Sequence, residues 1–323
     1  MHAELIVPAL LAAPGAARYP ALELLLARGR GGSAEALTLE QSLAEAFAQS
    51  GALAAGALTM GEKAGDAWWA RADPVHLRVL RDRAVVAPAE AFDLAPEEAE
   101  ALITALNHHF SGRVEFHAAG PKHWAARLNT AHAFPGEPAL SAAGRDPAAA
   151  RGSDALLTEI QMLLHAHPVN EAREARGEPA VNSVWLWGGG PAPAEAGGPW
   201  RSVAAADPVA RGLARLAGMR HDALPASAEP WLARLPEDGR HLAVLDALRA
   251  PAALEQHAAV EEGIAALERL WFAPLLAALR AERIGMVTLH VPDAGRSFET
   301  IRSDLRRIWR RPRRLAHYAP EAA

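Results

Sequence analysis

The stretch 165–190, HAHPVNEAREARGEPAVNSVWLWGGG, decides how the rest of this chain is read. It sets four polar side chains, His165, His167, Asn170 and Arg173, ahead of a turn at Gly177 and Pro179. A short apolar strand follows and closes on Gly188, Gly189 and Gly190. Pro168 disfavours helix at His167, so the two histidines straddle a helix end. At i and i+2 they face apart on a helix and share a ligand only in extended structure, which favours capping of carbonyls over a metal. Asn170 and Arg173 are expected to fix the loop through hydrogen bonds to the backbone, and Asn182 to pin the strand after it. A ligand site is the other reading of this polar knot. Trp185 and Trp187 fall on one face of that strand and read as buried core. The three glycines form neither a P-loop, since no Lys-Ser/Thr follows, nor a dinucleotide fingerprint.

Outward from this stretch, short apolar runs at Leu5–Val7, Val184–Leu186, Leu242–Leu245 and Met286–Val291 read as buried strands. Helical patterns lie at about 20–28, 153–165, 207–217 and 253–280, and Pro274 is expected to kink or divide the last. This alternation predicts an α/β architecture with a mainly parallel sheet. Between 65 and 130 the texture changes: His76–Leu80 and Arg113–His117 read as strands, with a helix from Pro96 to Phe110. A smaller α/β unit inserted into the main one accounts for this. Pro135 to Arg151 reads as a flexible connector and Gly188 to Pro199 as a second loose segment.

The spacing HPVN-x-x-R-x-x-G-x-P-x-x-N, followed by a short apolar strand and G-x-G, resembles the archaeal-type cofactor-independent phosphoglycerate mutases of the alkaline phosphatase superfamily. The block 65–107, GDAWWARADPVHLRVLRDRAVVAPAEAFDLAPEEAEALITALN, is similar to that family's substrate-domain opening. QMLLHAHPVN (161–170) with NSVWLWGGG (182–190) also resembles a bacterial group of regulatory proteins of the RpfE type. The resemblance implies an alkaline-phosphatase-like three-layer core over 1–62 and 180–323. It further implies an inserted substrate-domain-like unit over 63–150, with a connecting helix and HPVN loop over 151–179. It makes Arg71, Asp73, His76, Asp82 and Arg83 candidates for binding an anionic ligand, joined by His165, His167, Asn170, Arg173 and Asn182. Arginine suits this role because its planar fork meets phosphate or carboxylate at two points. The alternative is ordinary ion pairing of Arg71 and Arg83 with Asp73, Asp82 or Glu90. The family carries Asn where Asp73 stands, and a longer arginine run than Asp82-Arg83.

The family's chemistry implies two divalent metals held by Asp and His, and a Ser or Thr that carries the phosphoryl group. The metal-binding Asp expected after the first strand is replaced by Pro8-Ala9-Leu10. Asp246 has no His four residues on, and Leu289-His290 stands where an Asp-His pair belongs. Asp246, His290 and Asp293 remain as metal candidates, too few for two sites. Ser33, Thr38, Ser42 and Thr59 lie in no nucleophile motif and read as caps or loop residues. The leading expectation is a noncatalytic regulatory or binding protein with no cofactor and no catalytic residue. An active mutase or related phosphatase, using Mn or Zn, is the rival.

Net charge is −5 and carries no global nucleic-acid footprint. Lysine occurs only at Lys63 and Lys122, so nearly all positive charge is arginine. Eight arginines crowd 296–314, with Arg302, Arg306 and Arg310 at i, i+4 spacing around Trp309. Such a stripe suits nucleic acid, an acidic lipid surface or an acidic partner. The plainer reading is a terminal helix whose arginines pair with local acids while Trp309 packs on the sheet. The absence of cysteine excludes disulfides and thiolate chemistry. The apolar N-terminus contains Glu4 and Pro8 and lacks a basic leader, so it reads as a first strand rather than a signal peptide. No run approaches membrane-spanning length. The expected setting is the cytoplasm, with a small anionic ligand or a regulatory protein as partner, and neither membrane nor nucleic acid in the first instance.

Overall fold

A computed structural model describes residues 1–12, 15–80, 84–131, 134, 137–145, 155–236 and 238–319. In chain order its strands are β1 (His2–Ile6), β2 (Arg30–Ser33), β3 (Trp68–Val79), β4 (Ala84–Pro88), β5 (Val114–Gly120) and β6 (His123–Leu128). They continue with β7 (Ser183–Gly190), β8 (Trp200–Ala205), β9 (Arg220–Asp222), β10 (Arg240–Val244), β11 (Met286–Val291) and β12 (Arg296–Ile301). The chain divides into two compact units, Met1–Gln49 with Ala196–Ala323, and Ser50–Glu195.

The first unit is built on a seven-stranded sheet ordered β2-β12-β11-β1-β10-β8-β9. β11, β1, β10, β8 and β9 run parallel, and β12 is antiparallel to both of its neighbours. Ala3, Leu5 and Val7 alternate onto one face with Ala243, Leu245, Val287 and Leu289. That face buries against helices Pro20–Arg28, His257–Leu267 and Ala273–Arg280. The first of these has Pro20 at its opening turn, where the missing N–H costs nothing. The pattern expected over 253–280 is divided as Pro274 requires. A π-helical segment, Glu268–Phe272, precedes the proline, whose ring nitrogen has no hydrogen to donate back along the helix.

The second unit holds an antiparallel sheet ordered β4-β3-β6-β5. The long β3 also pairs with β7 from Trp69–Gly190 to Val75–Ser183. Helices Pro96–His109 and Ala155–His165 supply Leu102, Leu106, Ile160 and Leu164 to its core. This placement corrects two expectations. The strand read at Val184–Leu186 joins the antiparallel sheet, not the parallel one, and the segments 50–62 and 180–195, expected in the core, belong to the second unit. A fully apolar strand reads the same in either sheet, because periodicity does not name its neighbour. Only Glu137–Arg145 of the expected connector is described, and it contains a 3-10 turn, Ala139–Ala142, and a bridge from Ala143 to Val86.

The C-terminal arginines are also arranged differently. Arg302–Arg306 is a single 3-10 segment followed by turn and coil, so Arg302, Arg306 and Arg310 do not share a helical face. Trp309 is 73% exposed and does not pack on the sheet. Pro312 and the like charges nearby leave no continuous helical pattern for such a face. Among the described residues no helix is long and apolar enough to cross a membrane.

Where β1 ends, Ala9 is buried in the left-handed region at φ 63°. A Cβ there is disfavoured by about 1 kcal/mol, so Ala9→Gly is expected to raise stability by about 0.5–1 kcal/mol. Urea unfolding checks this; a loss of stability would show that the alanine methyl contributes more by packing than its backbone costs.

Candidate functional site

Parallel sheets present ligand sites beyond the carboxyl ends of their strands. In the first unit each of three strands is followed there by an aspartate: Asp207 after β8, Asp246 after β10 and Asp293 after β11. Asp207 is the N-cap of helix Pro208–Leu216, its Oδ1 accepting from the Ala210 amide at 2.8 Å. Asp293 Oδ1 accepts from the Ala9 amide at 2.8 Å, which ties the loop after β1 to the loop after β11.

Glu40 and Arg249 complete the cluster. Thr38 and Gln41 form a capping box that starts helix Leu39–Ala46, placing Glu40 in its first turn. Arg249 donates from Nη2 to Glu40 Oε1 at 2.8 Å, and both side chains are largely buried, at 17% and 9% exposure. Glu40 Oε2 is buried without a partner among the described residues. Burial opposes the Arg249 charge, but Glu40, Asp207 and Asp246 outweigh it and raise its pKa. Asp246 is pushed up to about 6, chiefly by burial and then by the negative charge of Asp207, with Arg249 pulling the other way. Burial likewise raises Asp293, against the Ala9 amide. The cluster can hold a proton near neutrality and offers a guanidinium rather than an open cage of oxygens.

His290 stands apart from this group. It lies on the β1–β11 face with its Nε2 3.7 Å from Glu4 Oε2, in a second polar cluster. His2 Nδ1 is 3.4 Å from Glu4 Oε1, Arg240 donates to the same oxygen, and Trp200 Nε1 donates to Oε2 at 3.1 Å. Burial would raise the Glu4 pKa, but the nearby His290 imidazole, the hydrogen bonds from Arg240 and Trp200, and the His2 charge together lower it to about 2. Asp246, His290 and Asp293 therefore do not act as one ligand set. Among the described residues no group of three or more His, Asp or Glu side chains has metal-holding geometry.

The second unit gathers the other candidates. Arg71, 3% exposed, donates from Nε to Asp73 Oδ1 at 3.1 Å and to the Trp124 carbonyl at 3.2 Å. Its Nη2 reaches Asp73 and lies 2.9 Å from His123 Nδ1, while Trp187 Nε1 donates to Asp73 Oδ2 at 2.6 Å. This ion pair is closed on itself, so Arg71 is not presented to an outside anion. His76 Nδ1 lies 2.8 Å from the Ala180 carbonyl, and Asn182 exchanges two hydrogen bonds with the Leu77 backbone. Asn170, 1% exposed, donates to the Leu164 and Val181 carbonyls and accepts from the Val181 amide. His167 does not cap carbonyls: it is an N-cap whose Nδ1 accepts from the Val169 amide at 3.2 Å. His165 is the exposed last residue of helix Ala155–His165. Asp82 and Arg83 lie outside the described residues.

Sequence reading missed Glu40, Asp207 and Arg249. Asp207-Pro208, an N-cap and first-turn proline directly after an apolar run, was the available signal for one of them. Nothing local marked the other two.

No family model and no curated protein matches this chain. Among solved structures it is similar to the PH0037 protein from Pyrococcus horikoshii, at 13% identity and a TM-score of 0.53, over 93% of this chain and 87% of that one. A second similar structure is the cofactor-independent phosphoglycerate mutase from Thermoplasma acidophilum, at 19% identity and a TM-score of 0.42, over 92% of this chain and 88% of that one. What the first of these shows is a shared fold: mixed α/β, with a mostly parallel central sheet and a second, antiparallel sheet.

Proposed function

We propose that this chain is a phosphoglycerate-mutase-like protein of noncatalytic, regulatory or binding type, with the paired-metal site of alkaline-phosphatase-like enzymes replaced. The observation that carries this reading is Arg249, whose guanidinium lies among the carboxylates at the strand ends. Two divalent ions need several converging anionic oxygens and imidazoles. Here one carboxylate is bonded to arginine, one caps a helix, one holds a backbone amide and one has a pKa near neutrality. The donor set does not fit two metals. A built-in cation supplies the neutralisation that metals would otherwise provide, without an open coordination position for a substrate oxygen. The HPVN motif and the 65–107 block support the family assignment, and the RpfE-type resemblance supports a regulatory role in the cytoplasm.

Purified chain supplied with manganese or zinc is expected to retain no stoichiometric metal after gel filtration and to leave 2- and 3-phosphoglycerate unconverted. Interconversion that a chelator abolishes and manganese restores overturns the proposal.

A further inference from the structure

The strand-end cluster is not the only charged concavity of the first unit. A cavity of about 740 Å³ is lined by Arg28, Arg280, Arg302, Ser303, Leu305 and Arg306. Three separate elements bring these arginines together. Arg28 and Arg280 end the helices Pro20–Arg28 and Ala273–Arg280, and Arg302 and Arg306 bound the 3-10 segment after β12. Arginine in a last helical turn complements the helix dipole, which accounts for the presence of two of them. It does not account for four converging on one space.

The neighbouring arginines are engaged elsewhere. Arg307 pairs with Asp304 at 2.7 Å and donates to the Arg28 carbonyl, and Arg310 donates to the Gly29 carbonyl at 2.7 Å. These bonds hold the 302–310 segment against the end of the first helix. Around the cavity itself, Arg28 donates to the Leu305 carbonyl, and Arg302 pairs with Glu282. Both members of that pair are mostly exposed, at 60% and 67%, so the pair is weak and readily exchanged. Arg280 and Arg306 are exposed and have no ion-pair partner among the described residues. Four arginines thus line one cavity against a single displaceable carboxylate, on a chain whose net charge is −5.

We propose that this cavity binds a polyphosphate anion, a chain of two or more phosphoryl groups. Planar guanidinium forks meet phosphoryl oxygens at two points each, which favours phosphate over a point-charge ligand. The volume exceeds what one orthophosphate fills and lies within the range of small-molecule sites. The net negative charge of the rest of the chain disfavours a long polyanion running past the cavity mouth. The anion comes either as free inorganic polyphosphate or as the phosphate tail of a nucleotide. Trp309, 73% exposed and three residues beyond Arg306, is a ready stacking surface for a base in the second case.

Calorimetric titration of the full chain with inorganic tripolyphosphate at low ionic strength tests the proposal. Binding is expected, weakened by about tenfold in each of Arg280→Ala and Arg306→Ala, and strengthened by about two- to threefold in Glu282→Gln, whose loss frees Arg302. These exposed positions should leave the thermal midpoint in place, so a lost signal reports binding rather than unfolding. Adenosine triphosphate binding more tightly than tripolyphosphate, with the difference removed by Trp309→Ala, identifies a nucleotide as the source; equal binding identifies the inorganic chain. No binding of tripolyphosphate overturns the proposal, as does binding indifferent to both arginine substitutions. So does tighter binding of a single-stranded oligonucleotide that survives both, since that anion would be using another surface. None of these readouts depends on the strand-end cluster, so the proposed function and the anion pocket stand or fall separately.

Discussion

Arg173→Ala is expected to destabilise the second unit by about 3–5 kcal/mol, among the largest single-residue effects in the chain. The side chain is 1% exposed and every part of the guanidinium is bonded. Nε donates to the Pro179 carbonyl at 2.8 Å, Nη2 to the Asp93 carbonyl at 2.7 Å, and Nη1 to Glu98, with Glu178 a further 3.5 Å contact. Its plane also lies over the Phe92 ring at 5.6 Å. Removing the cation takes away the donor to the Pro179 and Asp93 carbonyls and leaves Glu98 with one guanidinium fewer. Glu98 then relies on Arg176 and the Ala95 amide, at 2.6 and 3.2 Å. The loop between helix Pro168–Ala175 and β7 loses its staple. Arg173→Lys should recover under about half of the loss, because an ammonium cannot donate in three fixed directions at once. Urea unfolding of the three proteins measures this. A cost below about 1 kcal/mol for the alanine variant would mean that the turn at Gly177 holds itself.

The second large effect concerns Arg249 and is pH-dependent. Arg249→Met leaves Glu40, Asp246 and Asp207 without their shared cation. The expected cost is about 3–5 kcal/mol at about pH 8, and less at about pH 5 where Asp246 can hold a proton. The direction follows from the intact protein. The Asp246 pKa rises from 3.8 to about 6 on folding, mainly through burial and then Asp207. Its contribution to stability is therefore complete below the unfolded value and is lost as pH rises through about 6. Asp246→Asn removes that loss and should gain about 1–3 kcal/mol at about pH 8, with little change at about pH 4. Urea midpoints across this range distinguish the outcomes. An Arg249→Met cost that is the same at both ends would show that the guanidinium acts by packing and not by charge.

Much of the architecture was readable in the linear order of residues. The helix over 20–28 and the strand over Met286–Val291 follow from apolar periodicity, a first-turn proline and β-branched content, all of which act within a few residues. The polar knot of Asn170, Arg173 and Asn182 stood out for the same reason: Pro168, Gly177 and Pro179 mark turns that expose backbone groups needing partners. The candidate site was less legible. Asp246 and Asp293 could be named because each follows an apolar strand, but nothing in sequence showed that His290, one position before the last residue of β11, points toward Glu4 instead.

Sequence by itself determined most of the helices and strands of the parallel sheet, and that no thiol chemistry operates. Tertiary structure alone decided that Glu40 and Arg249, 209 positions apart, neutralise each other at the strand ends. It alone placed β7 in the antiparallel sheet, left Trp309 exposed, and gathered Arg28, Arg280, Arg302 and Arg306 around one cavity. The physical reason is one of range. Propensity, capping and periodicity act between residues a turn or two apart, whereas ion pairing and desolvation depend on distances that chain separation does not encode.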